Sequence, residues 1–299
     1  MTILNQPSDG LYNVLIVLVR NLIRFTPRDE EQLMATCGGQ LESVENSHLQ
    51  RTLIRWTELG LFQSTNDAIS IAEPFRTMLG SKHDVAEGRL ANVVRTLALH
   101  PDNNSRFWDA EGAKSADFSR ATAWMLAQDV YTLPQTSTLL EALLNEQLVD
   151  PKATTIVQND TRWNGLRAWM PYLGFARDTS RLEVDPTDAL RDVVPEIFGS
   201  GSRLIASEFL ERMATALPVL DGGKYRREVE GVLKESVWPK PEPGSLSTSL
   251  SRALQRLERE GVLQLEQLSD TGEGAALTRR NRKRWRDFSH IRVSGRGTR

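Results

Sequence analysis

The side chains best placed for chemistry in this 299-residue chain are arginines set on two matching stretches. His48, Gln50, Arg51 and Arg55 fall in the first, and Ser249, Ser251, Arg252 and Arg256 in the second. Arginine meets guanine O6 and N7 with a bidentate fork or binds phosphate, glutamine reads adenine, and serine hydrogen-bonds to either partner. At about 100° per residue, Leu49, Leu53 and Trp56 share one helical face while Arg51 and Arg55 lie opposite; Leu250, Leu254 and Leu257 stand likewise against Arg252 and Arg256. The arginines are therefore expected to face outward, on helices whose first turns would touch base edges in a DNA major groove. A solvated surface is the plainer alternative, with Glu58, Glu258 and Glu260 as ion-pair partners.

A third cluster lies near the end of the chain: Arg279, Arg280, Arg282, Lys283, Arg284 and Arg286, with Trp285 among them. Such a run can neutralise phosphates while the indole stacks on a base or sugar; a solubilising tail or a strip for an acidic partner is the alternative. Residues 279–299 hold nine of the 37 Lys and Arg but one of the 39 Asp and Glu, which leaves the first 278 residues at a net charge of −10. Polyanions are repelled by a body of that sign and attracted by the run that follows it.

Signatures of catalysis are missing. The sequence contains no Walker loop, dinucleotide fingerprint, Gly-x-Ser-x-Gly elbow or His-Glu-x-x-His helix, and Gly199–Ser202 lacks the Lys that a phosphate-binding loop requires. His48, His83, His100 and His290 are scattered, and Asp185, Asp188 and Asp192 read as acids near a helix start. The single Cys37 can form neither an internal disulfide nor a cysteine-rich zinc site. A non-enzyme without cofactor or metal is expected. No apolar run reaches the roughly 18 to 20 residues that span a bilayer, and no cleavage site follows the first apolar stretch, so a cytoplasmic protein is expected.

The elements that must position these side chains are mainly helical. Leu11, Val14, Leu15, Leu18, Val19 and Leu22 mark a first helix after the turn at Pro7 to Gly10. Thr26, Pro27 and Asp29 open a second as N-cap, first-turn proline and capping acid, with Gly38 and Gly39 closing it. The third runs from about Ser47 to Leu59 and ends at Gly60. Residues 61–72 then alternate around a polar turn, as a β-hairpin does. Three helices and a hairpin describe a winged-helix domain.

Sliding the chain by 201 residues superposes 48–63 on 249–264 without a gap, with Leu49, Arg51, Leu53, Arg55, Gly60 and Gln63 recurring as Leu250, Arg252, Leu254, Arg256, Gly261 and Gln264. A second winged helix is expected, with leading helices at about 207–217 and 224–235 and a hairpin of strands 262–268 and 275–278 around a turn at 269–274. A weaker third copy has a helix at 163–173, a hairpin at 175–184 and a helix at 187–198, with Pro171 as a conflict inside its first helix. Apolar stripes predict further helices at 90–99, 118–130 and 137–148. Trp56, Trp163 and Trp169 are expected in the core. The fold class is thus mainly α, with winged-helix domains at 1–83 and 201–278, a helical middle at 84–200 and a basic tail at 279–299.

Two segments, LNQPSDGLYNVL at 4–15 and ALPVLDGGKYRREVE at 216–230, resemble the DpdG-like proteins of bacterial gene clusters that place 7-deazaguanine derivatives in DNA and restrict unmodified DNA. The resemblance extends along the chain, and it carries no assigned active residue. It implies a part in antiviral defence within a restriction system, with double-stranded DNA and other proteins of the defence complex as partners; the lack of a spanning apolar run adds the expectation of no membrane. With the arginines and the basic run, it yields the expectation of a DNA-binding subunit. A scaffold whose winged helices bind partner proteins, a transcriptional regulator and a homo-oligomer are left open.

Overall fold

The computed structural model describes residues 2–4, 12–25, 27–40, 46–109, 114–152, 154–157, 159–179, 181–268 and 274–294. The described chain is mainly helical with small antiparallel sheets, and it divides into two compact units, one of residues 1–118 with 158–173 and one of 119–157 with 174–299. The middle region 84–200 is thus shared between the units. The expected turn at 7–10, Thr26, the turn at 269–273 and residues 295–299 lie outside the described residues.

In the first unit α1 (Tyr12–Phe25) buries Leu15, Leu18, Val19 and Leu22, the stripe read from its periodicity. Next, α2 (Glu30–Thr36) is capped by Asp29, whose carboxylate accepts from the Gln32 amide at 2.7 Å. Asp29 is therefore the N-cap itself and not the acid of a capping box. The cause is tertiary, since Arg28 exchanges both backbone hydrogen bonds with Ile69 and so holds an extended residue just before the cap. After α3 (Asn46–Glu58) the chain reverses at Gly60, φ 94°, where the Leu61 amide donates to the Trp56 carbonyl. The strands β1 (Phe62–Thr65) and β2 (Ala68–Ile71) pair around Asn66 and Asp67, both at positive φ, as a two-residue hairpin turn requires. Two further helices, α4 (Phe75–Leu79) and α5 (His83–Leu99), complete the N-terminal part of this unit. Helix α6 (Ala116–Ala127) crosses the unit boundary and α7 (Ser137–Gln147) lies in the second unit. Helix α8 (Asp160–Tyr172), in the first unit, carries Pro171 in its last turn, where the helix ends anyway. Trp56 and Trp169 meet in the core with ring centres 5.7 Å apart, and Trp163 is buried as well.

The second unit contains the hairpin β3 (Ala176–Asp178) and β4 (Leu182–Val184), then α9 (Thr187–Phe198), β5 (Arg203–Ile205), α10 (Ala206–Ala216), α11 (Lys224–Glu230) and α12 (Thr248–Arg259). The repeat is visible in the backbone: α12 ends as α3 does, with Gly261 at φ 71° and the Val262 amide donating to the Leu257 carbonyl.

The strands that follow depart from expectation. β6 (Leu263–Glu266) does not pair with β7 (Ala275–Arg279); it pairs with β9 (His290–Val293), which is the centre of a β5-β9-β6 sheet. β7 pairs with β8 (Lys283–Phe288). Residues 283–288 and 290–293 are therefore strands and not a tail. Their inward side chains explain this, since Phe288 and Ile291 are fully buried and a detached tail would leave them in water.

The segment 216–230 has a structural reason for its glycines. A Cβ on Gly223, which precedes α11, would overlap the Pro218 carbonyl oxygen. Gly223→Ala is expected to cost about 1–3 kcal/mol through this overlap, and a urea unfolding curve superimposable on that of the parent chain would refute it.

Candidate nucleic-acid interface

The repeated helices come first, because the sequence placed the base-reading residues there. On α3, Gln50 and Arg51 are exposed and His48 is half-buried. Arg55 does not face outward: it is 2 % exposed, and its guanidinium donates to the Thr2 carbonyl. The exposed side chain one position earlier is Ile54. A shallow cleft of about 390 Å³ beside Gln50 is lined by Glu30, Glu31, Met34 and Gln40. Its two carboxylates make this face of the first unit unfavourable for phosphate. Cys37, in the turn after α2, is a half-buried thiol whose pKa is pushed up to about 11 by burial against the opposing effect of Arg28.

On α12 the difference is larger. Ser249 is fully buried with its hydroxyl donating to the Leu126 carbonyl at 2.7 Å, and Ser251 is fully buried against Thr278. Thr248 donates to the Gln128 carbonyl at 3.2 Å and accepts from the Val130 amide at 3.0 Å. The first turn of α12 is thus closed by residues 126–130 and has no open side to offer a base pair. The arginines are engaged too. Arg252 lies over the Tyr131 ring at 4.9 Å, with a 3.4 Å contact to the Val184 carbonyl. Arg256 pairs with Asp185, a fully buried carboxylate that also accepts from the Thr187 amide and hydroxyl. Ser249, Ser251 and Arg256 are therefore packing residues of the second unit, and the expectation that both arginines point outward fails there.

The basic run sorts into two classes once the hairpin is folded. Arg282 is turned inward, over the Trp238 ring at 4.9 Å and donating to the carbonyls of Pro239 and Ala127. Burial first, then the nearby Arg226, lowers its pKa. Arg286 forks onto Glu258 and reaches the Leu265 carbonyl at 3.0 Å, while Leu265 donates back to Glu258. This pair ties α12, β6 and β8 together. The Arg286 pKa is raised chiefly by its Glu258 hydrogen bond. Arg284 pairs with Asp287 at 2.8 Å on the surface.

Arg279, Arg280 and Lys283 remain. All three are exposed, and none forms an ion pair among the described residues. Arg279 and Lys283 are cross-strand partners, so their Cβ atoms lie about 5 Å apart, with Arg280 in the turn between them. The turn needs positive φ at Asn281 and Arg282, and the Asn281 amide is held by Asp129 at 2.7 Å. Trp285, 44 % exposed, stands two residues further along β8. Three cations and an indole are thus presented on a hairpin fixed from beneath by Arg282 and Asp129. Nothing local in the sequence announces those anchors, because Asp129 and Trp238 are far from the hairpin along the chain. Among the described residues no group of three or more His, Cys, Asp or Glu can hold a metal ion, and no helix is long and apolar enough to cross a membrane.

A family model described as DpdG-like matches residues 1–271. No curated protein and no solved structure matches the chain.

Proposed function

The chain belongs to the DpdG-like family, and from that membership we propose that it is a non-catalytic DNA-binding subunit of a modification-dependent restriction system of antiviral defence. The observation that carries the proposal is the β7-β8 hairpin, where Arg279, Arg280 and Lys283 stand exposed beside Trp285, without an ion pair among the described residues, on an otherwise acidic chain. Phosphates of double-stranded DNA are the ligand these cations fit. The proposal includes winged-helix domains. It is supported by the order of three helices and a hairpin over 12–71, to which the Arg28–Ile69 bridge adds a third strand position, and by α10, α11 and α12, which lie between β5 and β6 of the β5-β9-β6 sheet.

The test is binding of the purified chain to labelled duplexes with and without 7-deazaguanine bases across a salt series. Affinity that falls steeply with salt is expected, and a difference between the two duplexes would assign discrimination of modification to this subunit. Binding that is negligible at low salt would remove the proposal.

A second reading is favoured by the cleft beside α3. Glu30 and Glu31 suit a basic segment of a partner protein of the complex, which would make the first unit a scaffold. Loss of partner capture in the double variant Glu30→Gln, Glu31→Gln, with DNA binding intact, would assign that role to the first unit.

A further inference from the structure

The hairpin carries a feature that duplex phosphate binding does not use. In the ladder Leu277 faces Arg286 while the next residue, Thr278, faces Arg284, so Trp285 is the extra residue of a β-bulge. A bulge takes a side chain out of the inward and outward alternation of its strand and re-aims it. The most exposed of the seven tryptophans is thus placed by the backbone itself and does not fill a gap in the core. The other six are buried or half-buried.

A second aromatic is held beside the same anchor. Asp129 accepts from the Asn281 amide at the hairpin turn with one carboxylate oxygen and from the Tyr131 amide with the other, at 2.7 and 3.1 Å. Tyr131 is 41 % exposed, and the guanidinium of Arg252 lies over its ring at 4.9 Å. One carboxylate therefore fixes a cationic turn and an exposed tyrosine whose ring is backed by a cation. Together these residues offer two π surfaces, Trp285 and Tyr131, and the three exposed cations Arg279, Arg280 and Lys283.

We infer that this surface of the second unit is a binding site for single-stranded DNA, with unstacked bases lying on Trp285 and Tyr131 and the phosphates on the cations of the turn. The physical ground is that stacked bases in an intact duplex have no free face to give an indole, whereas every base of a single strand has one. A protein partner fits less well. A hot spot built on tryptophan needs an apolar surround that excludes water, and the neighbours of Trp285 on β8 are Lys283, Arg284, Arg286 and Asp287. The inference deepens the proposed DNA-binding function and rests on it. It adds that the system's DNA is engaged in an opened or single-stranded form.

The experiment compares the full chain and its variants on an oligothymidine of about 16 nucleotides, near the upper site size of single-strand modules, and on a duplex of the same length. Trp285→Ala is expected to lose about 5- to 150-fold in affinity for the oligothymidine, the equivalent of one base stack. Its loss on the duplex should be several-fold smaller than its loss on the strand, the salt slope should hold on both, and Trp285→Phe should restore strand binding. Tyr131→Ala should give a loss of the same order and Tyr131→Phe none, which separates stacking from the tyrosine hydroxyl. Equal, salt-dependent binding of strand and duplex that neither alanine variant alters would overturn the single-strand site and leave the proposed function standing. Failure to bind either DNA would overturn both. Loss of partner-protein capture in Trp285→Ala with strand affinity unchanged would assign the surface to protein and overturn the inference.

Discussion

Arg256→Ala should destabilise the protein by about 3 kcal/mol, well beyond the half kilocalorie expected of a surface arginine. Its guanidinium is the ion partner of Asp185, a carboxylate with no exposure to water. Truncation strands that charge in the interior, with the Thr187 amide and hydroxyl as its remaining donors among the described residues. The magnitude is at the low end for a broken buried pair because the Arg256 side chain is itself 30 % exposed and water can partly take its place. Urea denaturation of Arg256→Ala beside Asp185→Asn and the double variant checks this. Single losses that fail to add would locate the energy in the pair, whereas unfolding within about 0.5 kcal/mol of the parent chain would show that the ion pair is idle. Loss of DNA binding in an arginine variant of α12 therefore has to be read against its stability before it counts as evidence that the arginine touches DNA.

The opposite behaviour is expected of the hairpin cations. The triple variant Arg279→Ala, Arg280→Ala, Lys283→Ala should unfold like the parent chain, because none of the three makes an ion pair among the described residues. Its binding to duplex DNA should weaken alike for all sequences. The slope of log affinity against log salt should become shallower by about 2.7, since each phosphate that no longer meets a cation accounts for about 0.9. A control at Arg282 sharpens the comparison. Arg282→Ala removes the stack on Trp238 and the hydrogen bonds to carbonyls beneath the turn, so it should lower stability as well as binding. A triple variant that keeps the full salt slope would place the phosphate-binding residues elsewhere on the chain.

The apolar periodicity decided most of the helices, although it gave no sign of α4, and α5 begins at His83 and not at 90 while α11 ends at Glu230 and not at 235. The stripe of α1, the run from Ser137 in α7 and the limits of α9 follow from spacing alone, because a helix that packs on one side must repeat its apolar residues every three or four positions. The shared Gly60 and Gly261 also have the same local meaning in both copies, a left-handed residue that ends a helix. What spacing could not decide is which polar face of a helix meets water. The 100° wheel puts Arg55 and Arg256 opposite the apolar stripe, and it is silent about a second neighbour arriving on that side. Thr2 and Asp185, distant in sequence, are those neighbours.

Strand pairing shows the same division. The apolar content of 262–268 and 275–278 marked both as strands, yet an isolated hairpin and a pair of strands claimed by other partners have the same local pattern. The β5-β9-β6 order depends on Ile291 and Leu204, which lie outside the segment that suggested the hairpin. Charge followed this logic as well. Composition alone located the cationic run at 279–286, since charge is a property of residues and needs no fold. The division of that run into Arg282 and Arg286, spent on internal contacts, and Arg279, Arg280 and Lys283, left facing solvent, was made only by tertiary structure. The reason is that burial and pairing depend on what the fold brings near from distant parts of the chain, and Trp238, Asp129 and Glu258 reach the hairpin only in that way.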